Sequence, residues 1–335
     1  MLIKEAIQIL AQRKDLNSEQ MQGVMSDILS GATNTADIIE FLTFLNDKGE
    51  TIEELTSAVE SMLKYINPII VDRPNILDTC GTGGDNKGTF NISTVTAFVA
   101  SGAGVCVAKH GNRSVSSRCG SADILEALGV DINMGRDKIK KCLEDVGVAF
   151  LFAPNLHPAM SHVMPARKKI ARKTIFNILG PLINPARATN QLIGVYSMEW
   201  TKILSRVLHN LGTKHVLVVH GMDGLDEVTT VDKTFISEAI DGQFKDYEIS
   251  PEDFGFSRVL AEDLLGGDVR KNASIALDIL SGVRGPKRDI VVLNSACAIY
   301  AADKAGSIEE GVELAVSSLD SGAALKKFKM LKEYS

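Results

Sequence analysis

The sequence predicts an α/β fold: a small N-terminal all-helical domain, then a large domain on a mostly parallel central sheet flanked by helices. Three observations carry this. Residues 1–66 show helical periodicity and no strand pattern. From Ile76 onward, short apolar runs alternate with helical patterns, the grammar of a parallel sheet covered on both faces. Aromatics make up only 5% of the chain while glycine occurs 28 times, which suits close helix–sheet contacts and glycine-built loops.

In the helical part, apolar residues recur as Ile3, Ile7, Leu10 and as Met21, Val24, Met25, Ile28. Asn17 with Gln20 and Thr51 with Glu54 have capping-box spacing, and Gly31 and Gly49 read as helix stops. We set the domains at 1–70 and 71–335. The sheet then reads as Ile76–Leu77, a glycine loop and a helix from Ser93. Val105–Ala108, a loop and a helix from Ser121 follow, then Ala149–Phe152. Leu192–Val195 and Val216–Val219 follow, separated by a helix through Ile203 and Leu211. The apolar, twice proline-broken stretch around 172–188 leaves this alternation and is expected to pack on the N-terminal helices. Residues 268–304 and 308–331 return to long helical patterns.

Composition narrows the function classes. A formal charge of −6 speaks against a general nucleic-acid binder, which draws its affinity from cationic contacts to phosphate. The most apolar run, Val95 to Ala108, is too short and glycine-interrupted to span a membrane. The first residues, MLIKEAIQILAQRKDL, lack a signal-peptide core. Cys80, Cys106, Cys119, Cys142 and Cys297 are odd in number and show no CxxC spacing, so neither a disulfide framework nor a zinc site is expected. A cytoplasmic protein is the expectation.

Two stretches carry chemistry. The first runs from Asp78 to Asp85, DTCGTGGD, between a short strand and a helix. Glycines let backbone N–H groups approach an anion, and the following helix N-terminus favours negative charge. It is neither GxGxxG nor a Walker A loop. Its continuation through Asn86, Thr89, Asn91, Ser93 and Thr94 adds donors that could hold phosphate and metal, or merely cap the helix. The second runs from Lys109 to Asp123 at the C-terminal end of a strand, where open α/β sheets bind ligands. Lys109, Arg113 and Arg118 supply charge there; Asn112, Ser116, Ser117 and Ser121 supply neutral donors, a density suited to a polyanion.

GTGGD, NxST and KHGNRSVSSRCGSADILEALG, followed by HPAM at His157–Met160, RKTIFNILGPLINPA at Arg172–Ala186 and GLDEVT at Gly224–Thr229, together resemble the anthranilate phosphoribosyltransferase family over nearly the whole chain. One departure stands out: Lys173 occupies a place where the family usually has arginine. The resemblance implies that Gly81, Gly83, Gly84, Asp85, Thr89, Asn91, Ser93, Thr94, Lys109 and Ser121 bind phosphoribosyl pyrophosphate. Two Mg²⁺ ions would be held by Ser93, Asp226 and Glu227, a hydroxyl and two carboxylates that suit a hard cation. Anthranilate would be bound by Gly81, His110, Asn112, His157 and Arg167, the guanidinium pairing with its carboxylate. No side chain is expected to act as a strong general base; His110 is the one candidate. The resemblance also implies a homodimer through the helical domain, for which Ile38, Phe41 and Leu42 read as exposed apolar positions. Two other readings of the same fold remain: a pyrimidine nucleoside phosphorylase, disfavoured by KHGNR, HPAM and the Asp226–Glu227 pair, and a non-enzymatic nucleic-acid-binding relative, disfavoured by the charge.

Overall fold

The computed structural model describes residues 2–114, 119–170 and 172–335. Four helices open the chain: α1 (Leu2–Ala11), α2 (Ser18–Leu29), α3 (Thr35–Lys48) and α4 (Ile52–Met62). Both capping boxes form. Asn17 accepts the Gln20 N–H at 2.9 Å and Thr51 that of Glu54 at 3.2 Å, with the Gln20 and Glu54 side chains reaching back. Glu54 does more than cap. It is fully buried, accepts Leu16 N–H at 2.9 Å and pairs with Lys48 at 2.7 Å, so one carboxylate ties the α1–α2 connection to α3 and α4.

The α/β part follows as β1 (Ile76–Asp78), α5 (Ile92–Gly102), β2 (Cys106–Gly111), α6 (Ser121–Ala127), α7 (Arg136–Asp145) and β3 (Val148–Phe152). Helices α8 (Ala153–Leu156), α9 (Met160–Lys169) and α10 (Phe176–Leu179) then lead to β4 (Asn190–Gly194), α11 (Glu199–Asn210) and β5 (His215–Gly221). Next come β6 (Thr234–Ile240) and β7 (Gln243–Ile249). Helices α12 (Val269–Leu280), α13 (Pro286–Ala301), α14 (Ile308–Asp320) and α15 (Ala323–Tyr334) close the chain. The sheet order is β3-β2-β1-β4-β5-β6-β7. The first five strands are parallel and the last two add an antiparallel hairpin. That hairpin is absent from the sequence expectation. Its turn, Asp241-Gly242, has both residues left-handed (φ 49° and 77°), as a tight hairpin turn requires.

The chain builds outward from β1 to β3, then returns to place β4 on β1's other side. This reversal puts a crevice at the C-terminal ends of β1 and β4, the position where open α/β sheets take ligands.

Two apolar cores result. One fills the sheet face beneath α5 and α12–α15. The other joins α1–α4 to Ile175, Phe176, Ile178, Leu179, Leu182 and Ile183, and continues through Leu204 and Val207 of α11 to Ile193, Val216 and Val218 on the sheet's opposite face. One expectation is overturned: Ile38, Phe41 and Leu42 are at most 1% exposed. They are covered within the chain, where α3 packs on α1 and α9, and offer no surface to a partner.

Candidate active site

The glycine loop leaves β1 and is pressed against the end of β4. Thr82 N–H donates to the Gly194 carbonyl at 2.9 Å, and Tyr196 N–H donates to Thr82 Oγ1 at 3.2 Å. Gly83 and Gly84 follow with φ of +65° and +82°, a pair of left-handed residues that only glycine adopts without strain. Asp85 then closes the loop by accepting Lys87 N–H at 3.1 Å. Across the crevice, the segment after β5 brings Asp226 and Glu227 against the same loop. Gly83 N–H donates to the Asp226 carboxylate and Ser93 N–H to that of Glu227.

Asp85, Asp226 and Glu227 thus form a cluster of carboxylates faced by the Lys109 ammonium. Asp226 and Glu227 are both partly covered by the surrounding chain. Desolvation, the Asp85 charge and their mutual repulsion raise the Asp226 carboxyl well above the usual carboxylate range. Desolvation, opposed by Lys109 and reinforced by Asp85, takes Glu227 up to about 8. Excess negative charge of this kind is relieved by a divalent cation, and the donor set is all oxygen. Ser93 completes it. The N-cap of α5 is Asn91 and makes no side-chain cap bond, so the Ser93 hydroxyl is not spent on capping. It accepts Lys109 Nζ at 3.2 Å instead.

Lys109 is buried at the end of β2 and also donates to the carbonyl and hydroxyl oxygens of Thr79, at 3.2 and 3.3 Å. His110, next along β2, is paired with His157, their Nε2 atoms 2.9 Å apart. Burial, with the facing His157, takes His110 down to about 3; burial takes His157 down to about 4. Both rings are neutral near pH 7 and form an uncharged wall.

Beneath this wall Asp78 accepts His110 N–H at 3.1 Å and the Asn184 amide at 2.7 Å. Its oxygens lie near Cys80 and His110 ligand atoms, but these bonds give the carboxylate a structural task. Arg167 on α9 is half-buried, stacks 5.9 Å over the Phe176 ring and makes no ion pair among the described residues. It is a cation held without its anion.

Other expected residues are engaged differently. Asn91 bridges the Cys119 carbonyl (3.0 Å) and the Asn272 amide (3.1 Å), so its amide holds two loops together. Thr89 forms an isolated β-bridge with Leu265. Thr94 Oγ1 is buried without a hydrogen-bond partner. Ser121 Oγ donates to the Asn112 carbonyl at 3.2 Å, and Asn112 Oδ1 accepts Arg113 N–H at 2.7 Å, shaping the turn after β2. Arg113 does not offer its charge to the cleft: it pairs with Glu126 at 2.8 Å and Asp123 at 3.0 Å. Ser116, Ser117 and Arg118 lie outside the described residues. The sequence reading gave no role to Gly194, Asp78 or Asn184. Only Asp78, heading the glycine motif, carried a signal.

The comparisons agree with this geometry. The family described as "Glycosyl transferase family, helical bundle domain" matches residues 4–66, and "Glycosyl transferase family, a/b domain" matches 73–325. A Methanobrevibacter smithii anthranilate phosphoribosyltransferase is 51% identical over 333 residues, 99% of each chain. The chain belongs to the anthranilate phosphoribosyltransferase family. Among solved structures, the family member from Thermus thermophilus superposes with a TM-score of 0.93 at 39% identity, over 98% of both chains. The Saccharomyces cerevisiae family member, solved in complex with PRPP and Mg, gives 0.90 at 28% identity over 99% of this chain and 97% of its own.

Proposed function

We propose that the protein transfers the phosphoribosyl group of phosphoribosyl pyrophosphate to the amine of anthranilate, releasing pyrophosphate and giving N-(5-phosphoribosyl)anthranilate, a step of tryptophan biosynthesis. The observation that carries this is the convergence of the glycine loop, the Asp226–Glu227 pair and Lys109 at the β1–β4 crevice. Membership of the family and its full-length relatives support the same reading over a nucleoside phosphorylase or a nucleic-acid-binding protein.

The enzyme uses Mg²⁺, and we assign two ions to Ser93, Asp226 and Glu227, where they would neutralise the pyrophosphate as it departs. The chain's own groups do the rest. The loop of Gly81, Gly83, Gly84 and Asp85 receives the pyrophosphate and ribose, with Thr89, Asn91, Ser93, Thr94 and Ser121 shaping the surroundings. Lys109 places a fixed positive charge beside the leaving group, effective because its site is already oriented and partly dry. Arg167 takes the acceptor carboxylate, while Asn112, Gly81 and the neutral His110–His157 wall align the ring. The aryl amine is neutral near pH 7 and needs no deprotonation before attack. Catalysis then rests on alignment and electrostatics.

Incubation with phosphoribosyl pyrophosphate, Mg²⁺ and anthranilate should consume the anthranilate fluorescence. Unchanged fluorescence together with phosphorolysis of a pyrimidine nucleoside would replace this reading by the phosphorylase one. We further assign a homodimer to the outer face of the helical bundle, where Leu2 is 45% exposed and Ile9, Ile39 and Phe44 are half-covered. A monomer mass by light scattering at micromolar concentration contradicts it. We assign the protein to the cytoplasm; no helix among the described residues is long and apolar enough to cross a membrane.

A further inference from the structure

Lys173 belongs to the segment that returns from the sheet to the helical bundle, yet its ammonium reaches across to the glycine loop. Its Nζ donates to the Gly84 carbonyl at 3.1 Å and sits 3.1 Å above the centre of the Tyr196 ring. No carboxylate lies within ion-pair distance of it among the described residues; the negative charges it feels are Asp226 and Asp85. The residue before it is anchored the other way. Arg172 pairs with Asp47 at 2.7 Å and donates to the Thr43 carbonyl at 3.0 Å, both on α3. Two consecutive cations therefore join the helical bundle to the loop. Gly84 is matched to this contact: a Cβ there would stand 3.4 Å from Lys173 Nζ, on a backbone already left-handed.

We propose that Lys173 is a positioning residue for the phosphoribosyl-binding loop, holding the Gly84 carbonyl so that the loop is already shaped for a pyrophosphate-bearing substrate. This rests on the reading of the loop given above.

Besides the Gly83 N–H bond to Asp226, the loop has a tether at each end. Thr82, bonded to Gly194 and Tyr196, fixes its first half; Lys173 fixes its second. Between them lie Gly83 and Gly84, the residues with the most backbone freedom to lose. In a trans peptide the carbonyl and the following N–H point in opposite directions, so fixing the Gly84 oxygen also aims the Asp85 N–H. Tyr196 keeps the ammonium in place from below through its ring face. Without the ammonium, Gly83 and Gly84 would sample other conformations and a bound pyrophosphate would have to order them. Ordering one backbone residue is worth roughly a decade in affinity.

The test uses the full-length protein with Mg²⁺. Lys173→Met keeps the stem over Tyr196 and removes the donor. Its KM for phosphoribosyl pyrophosphate should rise about tenfold, with kcat and the KM for anthranilate each moving less than about threefold. Lys173→Arg should restore most of the difference, because a guanidinium can also stack on Tyr196 and donate to Gly84. Calorimetric binding of inorganic pyrophosphate with Mg²⁺ supplies a readout independent of turnover, and should weaken about tenfold in Lys173→Met. Unchanged pyrophosphate affinity in Lys173→Met overturns the proposal, as does an equal rise in both KM values. Wild-type protein that binds pyrophosphate but leaves anthranilate untouched overturns the acceptor reading alone. Wild-type protein that binds no pyrophosphate overturns the loop reading and the proposal together.

Discussion

Replacing Gly194 with alanine should disable the site by displacing its acidic pair, with the strands left in place. Gly194 is the last residue of β4, hydrogen-bonded in register with Val219 of β5. Its φ lies outside the left-handed region, so alanine meets no backbone penalty there. The obstacle is space. A methyl group at this position would overlap the Asp226 carbonyl and stand 3.2 Å from Glu227 N, whereas real Cβ atoms keep beyond 3.0 Å of any neighbour. β4 is held from both sides by β1 and β5, so the segment carrying Asp226 and Glu227 has to yield, by about 1 Å or more. A misplacement of that size in catalytic groups costs on the order of 10²-fold. Val228 is clamped by both ends of the Asn294 amide, at 2.9 and 2.7 Å, so the shift cannot spread far and concentrates at the two carboxylates. The assay is kcat and the apparent Mg²⁺ requirement of Gly194→Ala, with a denaturant curve to show that the chain is folded. We expect a loss of about 10²-fold in kcat/KM, a raised Mg²⁺ requirement, and about 1–3 kcal/mol of stability lost to overpacking. A variant within about threefold of wild type in both kinetic respects would refute the argument.

Further tests address the acceptor side and the far end of the sheet. Arg167→Ala should raise the KM for anthranilate by about 10–100-fold, the worth of a charged hydrogen bond, and barely move that for phosphoribosyl pyrophosphate; equal losses for both would count against a specific role. His110, held near 3 by burial and His157, stays neutral across the working range. At saturating substrates and Mg²⁺, which holds Asp226 and Glu227 ionised, the kcat of the wild type should therefore be flat from pH 7 to 9, and His110→Ala should lose no more than about 10²-fold. An acid limb that vanishes in His110→Ala would instead make it a base. His215 sits buried between Glu238 (3.0 Å) and Asp303 (2.8 Å), with Tyr300, Tyr247 and Cys297 nearby. Burial pulls its pKa down, but the two carboxylates outweigh this and raise it above 6.5. Its contribution to stability is thus complete below 6.5 and lost as pH rises through the raised value. His215→Gln should cost about 3 kcal/mol at pH 6 and less at pH 9 by urea denaturation; a difference independent of pH would exclude a charged His215.

Local rules were readable in the sequence because they are satisfied within a few residues. Asn17 with Gln20 and Thr51 with Glu54 complete their caps inside one helical turn, and DTCGTGGD declares its tight backbone through glycine alone. What depended on distant chain was not readable in the same way. Apolar spacing shows that Ile38, Phe41 and Leu42 need cover, but not whether a partner supplies it, as the sequence reading had it, or α1 and α9 of the same chain, as the structure has it. Charge density around Arg113 shows capacity, not direction, and Glu126 and Asp123 claim that guanidinium. β7 exposes most of its side chains, so its alternation carries little hydrophobic contrast. The Asp241-Gly242 pair was the better clue to the hairpin. Gly194 ends an ordinary apolar run, and the need for no side chain arises only when the Asp226 segment folds against it.

The apolar layer that runs from the helical bundle through α11 to Ile193, Val216 and Val218 has a consequence for how the molecule comes apart. A bundle joined only by a linker would melt by itself and could be clipped away. Here its removal would uncover the bundle-facing sides of α11 and of residues 175–183, leaving apolar side chains there in water. Heat or urea should therefore take both parts down in a single cooperative step, and amide hydrogens of α2 and α4 should exchange at rates close to those of β4 and β5. Excising the first 66 residues would yield an aggregating fragment, because the two parts hold one interior between them.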